Sequence, residues 1–278
     1  MKINGWKYYN HAAIPSSAPH ENVDVSPIED GTIWQLDGKP LFARWTSDFD
    51  CGHETNWWYI IREAPFDFEQ LAAKEKKSIR QARRKSIAKK IKMSDYVEQL
   101  YECYSAAVSK YEKSYKPMNI EAFLKYCMQL DALYDCWAGF SAETNELIGY
   151  ITVMVYNEHC EIATAKFHPD YLKLRASDTL YFEVLDYYLN KKGKKYVSSG
   201  ERSINHVTGT QEYKIRKFGY KKAYCKMHII YDSKIKLLIK IAYPIRRMFK
   251  LLDKIRIVHL FNSVLKMEQI RRENEDNE

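Results

Sequence analysis

The sequence predicts an α+β chain: a mixed, mostly antiparallel sheet flanked by helices, with a β-rich N-terminal extension and a C-terminal helical tail. Three observations carry this reading. Residues 134–142, 146–156 and 159–167 are β-prone runs separated only by Glu143-Thr144-Asn145 and Asn157-Glu158, the pattern of an antiparallel meander. Residues 95–111 place Val97, Leu100, Tyr104, Val108 and Tyr111 at three- and four-residue steps, which is helical periodicity. Residues 200–231 run from a polar loop through a short helix and a Phe-Gly-Tyr corner into an unbroken β-prone stretch.

Taken in order, residues 1–30 carry Pro15, Pro19 and Pro27 among Ser, His and Asn and read as an extended arm. A strand at 32–36, a tight turn at Asp37-Gly38 and a strand at 40–45 read as a hairpin, followed by a third β-rich run at 55–62. Asp48, Asp50, His53 and Glu54 between them are either a turn or a site. Residues 66–85 read as a helix with Lys or Arg at 76, 77, 80, 83, 84 and 85. Its apolar stripe of Ile79 and Ala82 is so thin that most of it must face solvent or an anionic ligand. A turn at Ser86 leads to a strand at 87–93; Ser94 caps the helix at 95–111, and a second helix covers 120–132.

His168-Pro169 ends the meander, and a polar loop runs to Ser177, which caps a helix at 178–192 with Gly193 beyond its end. After a strand at 195–199, Thr208 with Gln211 three residues on is a capping box, and Gly219 supplies the left-handed residue that stops the helix. The tail sets Leu237, Leu238, Ile241, Ile245, Met248, Leu252 and Ile255 on one face and basic residues at 236, 240, 247, 250 and 254 on the other. Pro244 kinks it. Such a helix lies on an anionic membrane surface or packs on the sheet. The expected division is 1–86, 87–232 and 233–278.

Composition narrows the class. With 46% hydrophobic and 29% charged residues, the chain is that of a soluble globular protein. No apolar stretch follows Met1-Lys2, and Lys or Arg interrupts every long apolar run. A secretory signal and a spanning helix are therefore not expected, and a cytoplasmic setting is. The cysteines at 51, 103, 127, 136, 160 and 225 form no C-x-x-C pair, so reduced thiols are expected, with no disulfide frame and no metal. The net charge of +8 is concentrated: 74–92 holds ten Lys/Arg against one Glu, and 233–260 holds eight against one Asp. Runs of this kind meet phosphates, anionic membranes or acidic glycans, or simply water.

The element order from 87 to 231 resembles the acyl-CoA N-acyltransferase fold of the GCN5-related N-acetyltransferase superfamily, which the Fem-type peptidoglycan peptide-bridge ligases also use. Tyr9-Asn10-His11-Ala12, Ala18-Pro19-His20-Glu21, the run at 44–51, Glu54-Thr55-Asn56-Trp57-Trp58-Tyr59, the run at 200–206 and the run at 218–225 resemble a bacterial family described only as acyltransferase-like. The resemblance implies transfer of an acyl or aminoacyl group to an amine of a small molecule or a lipid-linked cell-envelope precursor. Acyl-CoA is then one donor, and aminoacyl-tRNA or a carrier protein another. Coenzyme A users in the superfamily carry Arg/Gln-x-x-Gly-x-Gly/Ala before a helix whose N-terminal amides hold the pyrophosphate. The corresponding loop here, 168–177, has no glycine. Lys173 and Arg175 would supply charge there, Ala176 and Ser177 the helix start, and Asp178 an opposing charge.

Such chemistry needs a base for the attacking ammonium, donors for the oxyanion and an acid for the leaving group. The candidates are His206 or Glu201 as base, Tyr213 or Ser199 as acid, and the backbone N–H groups near Ala165 and Lys166 for the oxyanion; Arg202 and Asn205 would hold substrate. The plainer reading has Glu201 and Arg202 pairing to pin the loop, His206 as a polar cap and Tyr213 as core. Two geometric expectations follow. The strands at 159–167 and 195–200 should be adjacent and splayed at their carboxyl ends, and Glu201, Arg202, His206 and Tyr213 should converge with Arg175 at the rim. The competing function is a catalytically silent protein of the same fold that binds nucleic acid or a membrane through its basic helices.

Overall fold

The computed structural model describes residues 1–110, 117–204, 209–253 and 255–275. The chain forms two compact units interleaved in sequence. One comprises Met1–Tyr59, Glu201–Thr208 and Lys222–Glu278; the other comprises Ile60–Gly200 and Gly209–Lys221.

The expected arm is instead a hairpin of β1 (Trp6–Tyr9) and β2 (Ala12–Pro15). Its two-residue turn puts Asn10 and His11 at φ 45° and 66°, the mirror-image geometry that matches strand twist. After α1 (Ser26–Glu29), the expected strand at 32–36 is a 3₁₀ turn, Thr32–Gln35. The reason is burial: Ile33 and Leu36 enter one apolar cluster with Trp6, Ala13 and Ala43, and a three-residue spacing shares a face in a 3₁₀ turn but not in a strand. Gly38 still makes the turn at φ 97°, with the Tyr8 ring packed where a Cβ would stand.

β3 (Phe42–Ser47) follows, and β4 (Trp57–Glu63) carries the chain from the first unit into the second. A 3₁₀ turn at Phe68–Gln70 precedes α2 (Ala73–Lys85), which passes straight into β5 (Ser86–Ile91). α3 (Val97–Val108) is entered through a 3₁₀ turn whose Met93 and Ser94 amides donate to the Asp131 carboxylate at 2.6 and 2.9 Å; that remote carboxylate does the capping expected of Ser94. α4 (Ile120–Leu130) is capped by Asn119. The meander is β6 (Tyr134–Ser141), β7 (Leu147–Val155) and β8 (His159–Phe167). A 3₁₀ turn at Pro169–Leu174 leads to α5 (Ala176–Leu185), which continues as a π-helical turn over Asp186–Lys191. Then come β9 (Tyr196–Glu201), α6 (Thr210–Phe218), β10 (Lys221–Tyr231), α7 (Ser233–Ala242), α8 (Arg246–Lys250) and α9 (Arg256–Glu275).

In the second unit β5, β6, β7 and β8 pair antiparallel in that order, and β9 joins β8 in parallel. Strand alternation divides β6 between two faces. Cys136, Ala138 and Phe140 enter a core with Leu100 and Tyr104 of α3 and Phe123 of α4. Gly139 points the other way, where a Cβ would lie 3.1 Å from Leu180 and 3.2 Å from Ala176, so α5 sits directly on the strand. In the first unit β3 pairs with β2 in parallel and with β10 antiparallel. Met267 and Ile270 of α9 close its core over Phe42, Trp57, Cys225 and Met227. All six cysteines are free, and burial pushes the thiols of Cys103, Cys127 and Cys160 up to about 12, so these three are packing residues.

Candidate active site

β8 and β9 are parallel partners through only three pairs, His159–Tyr196, Cys160–Val197 and Glu161–Ser198. Beyond these, β8 continues to Phe167 and β9 to Glu201 without pairing to each other. A register irregularity at Thr152/Val153, where β7 meets β8, lies beside the point of parting. Ala165 and Lys166 fall on the parted half of β8, where their strand partners are Ile151 and Tyr150 of β7.

Lys214 stands at the opening. Its ammonium donates to the hydroxyl of Ser199, the first residue of β9 beyond the paired stretch, and lies 5.1 Å from the centroid of the Tyr181 ring. The side chain is 6% exposed, and burial alone lowers its pKa to about 8. Its position follows from α6. Lys214, Lys217 and Phe218 are spaced i, i+3, i+4 and share the face that Phe218 buries, and Gly219 in the left-handed conformation (φ 66°) then ends the helix. The sequence alone does not single out Lys214, because a lysine is solvated by default; its i, i+4 spacing to Phe218 is the one signal of burial that it carries.

Lys217 reaches a second buried cluster. Its ammonium lies 2.6 Å from Asp178 and 2.8 Å from Ser78 Oγ, which itself donates to Asp178 at 3.1 Å. Tyr213 donates its hydroxyl to the other Asp178 oxygen and lies 3.3 Å from Ser177 Oγ. Desolvation, then the Asp178 charge, raises the Tyr213 pKa, so the phenol keeps its proton and acts as a donor. Arg175 caps α5 at φ 60° with its Nε 3.4 Å from Asp178. Asp178 therefore points inward and is matched by cations, rather than standing bare at the helix N-terminus. Ala176 is buried, Lys173 is exposed, and His168 caps the preceding turn by accepting from the Asp170 amide.

Thus Arg175, Ser177 and Tyr213 come together around Asp178, in the same unit as Ala165, Lys166, Lys173 and Ala176. Glu201 and Arg202 belong to the first unit. There Glu201 accepts from Arg44 at 2.5 Å, and Arg44 stacks 5.2 Å from the Trp57 ring. Arg202 donates to the Asn56 carbonyl and stacks 4.5 Å from the Trp58 ring; burial lowers its pKa against the opposing influence of Glu273. Asn205 and His206 lie outside the described residues. Among the described residues no group of His, Cys, Asp and Glu is placed to hold a metal ion.

The outer face of α2 presents Lys74, Lys77, Arg80, Arg84 and Lys85 to solvent, while Ile79 and Ala82 are fully buried. Arg80 is shared with Glu69, and Arg83 pairs with Glu183.

No protein-family model matches the sequence, and no curated protein does. Solved structures do match. L-PGS from Bacillus licheniformis superposes with a TM-score of 0.53 at 13% identity, over 84% of this chain and 82% of that one. The C-terminal domain of a candidate lysylphosphatidylglycerol synthetase from Agrobacterium fabrum gives 0.51 at 11% identity, over 85% and 82%. FemX gives 0.54 at 7% identity, over 78% and 81%. At such identities the likeness is one of fold. The chain has the acyl-CoA N-acyltransferase fold that the order of its elements suggested.

Proposed function

We propose that the protein is an acyltransferase that moves an acyl or aminoacyl group from an activated ester or thioester to an amine of a small molecule or a lipid-linked cell-envelope precursor. The observation that carries this reading is the parting of β8 from β9 with a buried lysine of lowered pKa at the opening. In this reading the acyl carbonyl lies along the parted half of β8, its oxygen facing backbone N–H groups near Ala165 and Lys166. With a pKa near 8, about a tenth of Lys214 is neutral at pH 7. The neutral amine takes the proton of the attacking ammonium. The C–N bond forms, the C–O or C–S bond breaks, and the leaving oxygen or sulfur takes up a proton.

Aminoacyl-tRNA is the favoured donor. The turn before α5 has no glycine to let backbone amides close on a pyrophosphate, and Arg175 occupies its left-handed position. The exposed cations of α2 suit a polyphosphate backbone. The test presents the protein with labelled aminoacyl-tRNA, acetyl-CoA and longer acyl-CoAs, following transfer to amine acceptors and the melting temperature together. Aminoacyl-tRNA should raise the melting temperature by mass action and lose its label to an amine. Transfer from acyl-CoA alone would replace the donor assignment. Absence of both binding and transfer would leave the silent-fold reading in its place.

A further inference from the structure

The tail does not spend its apolar stripe on packing. Of α7, Ile239 and Ala242 are buried, against Leu265 of α9. Leu237, Ile241 and Met248 are 63%, 61% and 64% exposed, and Leu251 reaches 84%. Large apolar side chains continue on the surface through Ile257 and Leu260. Single exposed leucines are ordinary, but a run of this length is not. Along α7, Leu237, Leu238 and Ile241 fall within an arc of about 100°, with Lys234 between them and Lys240 and Lys236 along one edge. Lys234 and Arg247 are exposed nearby, and Asp253 is the one acidic residue in 233–260.

We infer that α7, α8 and the start of α9 form a docking surface for an anionic lipid bilayer, lying in the plane of the interface. Leu237, Ile241 and Met248 enter the acyl boundary, and Lys236, Lys240 and Arg247 meet the headgroups. Charge selects this occupant. A second copy placed face to face would bring eight Lys/Arg against eight others, with one Asp from each side to offset them. Nucleic acid would meet the cations but leave the leucines, isoleucines and methionine in water. Among the described residues no helix is long and apolar enough to cross a membrane, so the contact lies at the surface. The inference does not depend on the acyl-transfer reading, because it rests on exposure and charge alone.

The test is co-sedimentation of the full chain with vesicles of phosphatidylcholine, with and without phosphatidylglycerol. Wild type should pellet with the anionic vesicles and far less with the neutral ones. A variant carrying Leu237→Asp, Ile241→Asp and Met248→Asp should lose about tenfold or more in partitioning. Lys236→Glu with Lys240→Glu should lose the preference for phosphatidylglycerol. Because these side chains are exposed, both variants should melt with the wild type, and a circular-dichroism melt separates lost docking from lost fold. Equal sedimentation of wild type and the aspartate variant, or none of either, would overturn the proposal. So would a wild-type dimer that the aspartates dissociate without any vesicle binding, since that assigns the face to a second copy.

Discussion

Lys214 joins stability to chemistry in one group. Its folded pKa is lowered to about 8 from 10.5, so between those values the unfolded chain binds the extra proton. Stability therefore rises as pH climbs from about 8 toward 10, and below 8 the buried ammonium costs on the order of 3 kcal/mol. Lys214→Met should be more stable than wild type in urea at pH 7, with a gap that shrinks as pH rises; a constant gap would mean that the lysine is not desolvated. The same substitution should lower kcat/KM for acyl transfer by about a hundredfold or more. The pH profile identifies the base. An inflection near 8 fits Lys214, whereas a profile without one would assign the base to another group.

At the scale of elements, Asp178 of α5, Lys217 of α6 and Ser78 of α2 clamp three helices through one buried ion pair. Removing one member strands a charge in the interior. Lys217→Met and Asp178→Asn should each cost about 3–5 kcal/mol in chemical denaturation. The pair Asp178→Leu with Lys217→Met should recover part of that loss, because neither of the two central charges is left behind; Glu75 keeps Arg216 at 3.9 Å, and Arg175 is 40% exposed to water. A double variant as unstable as the sum of the two singles would show that the helices depend on something other than the ion pair. The β1–β2 hairpin offers a smaller test. His11 occupies a left-handed position at φ 66°, so His11→Gly should stabilise the first unit by about 0.5–1 kcal/mol, read as a rise in denaturation midpoint.

Over the whole molecule, the excess positive charge sits on α2 and on the tail, and the two stretches are assigned different partners. If α2 holds the backbone of a tRNA donor, Lys74→Glu, Lys77→Glu and Arg84→Glu together should weaken tRNA binding. They should also flatten the dependence of log K on log salt by about 2. Vesicle binding should be untouched by these changes. A salt slope unchanged in the triple variant would remove α2 from the donor site and return it to the class of solvated faces.

Much of the second unit was legible in the sequence because its cues are local. The meander at 134–167, the periodicity of α3 and the stop at Gly219 each depend on residues within a few positions of one another. The β1–β2 hairpin escaped because its turn is Asn-His rather than Asn-Gly, and the Thr32–Gln35 turn because two apolar side chains three apart can only be placed once their shared cluster exists. At the candidate site the sequence showed the polar loop and the glycine-free turn before α5. It could not show that Lys214 loses its water, that Asp178 is met by Lys217, or that Glu201 takes Arg44 from a strand 157 residues away. Desolvation and ion pairing are sums over side chains brought together from distant parts of the chain. Tertiary structure decides which lysine is buried with a lowered pKa and which lies exposed in water.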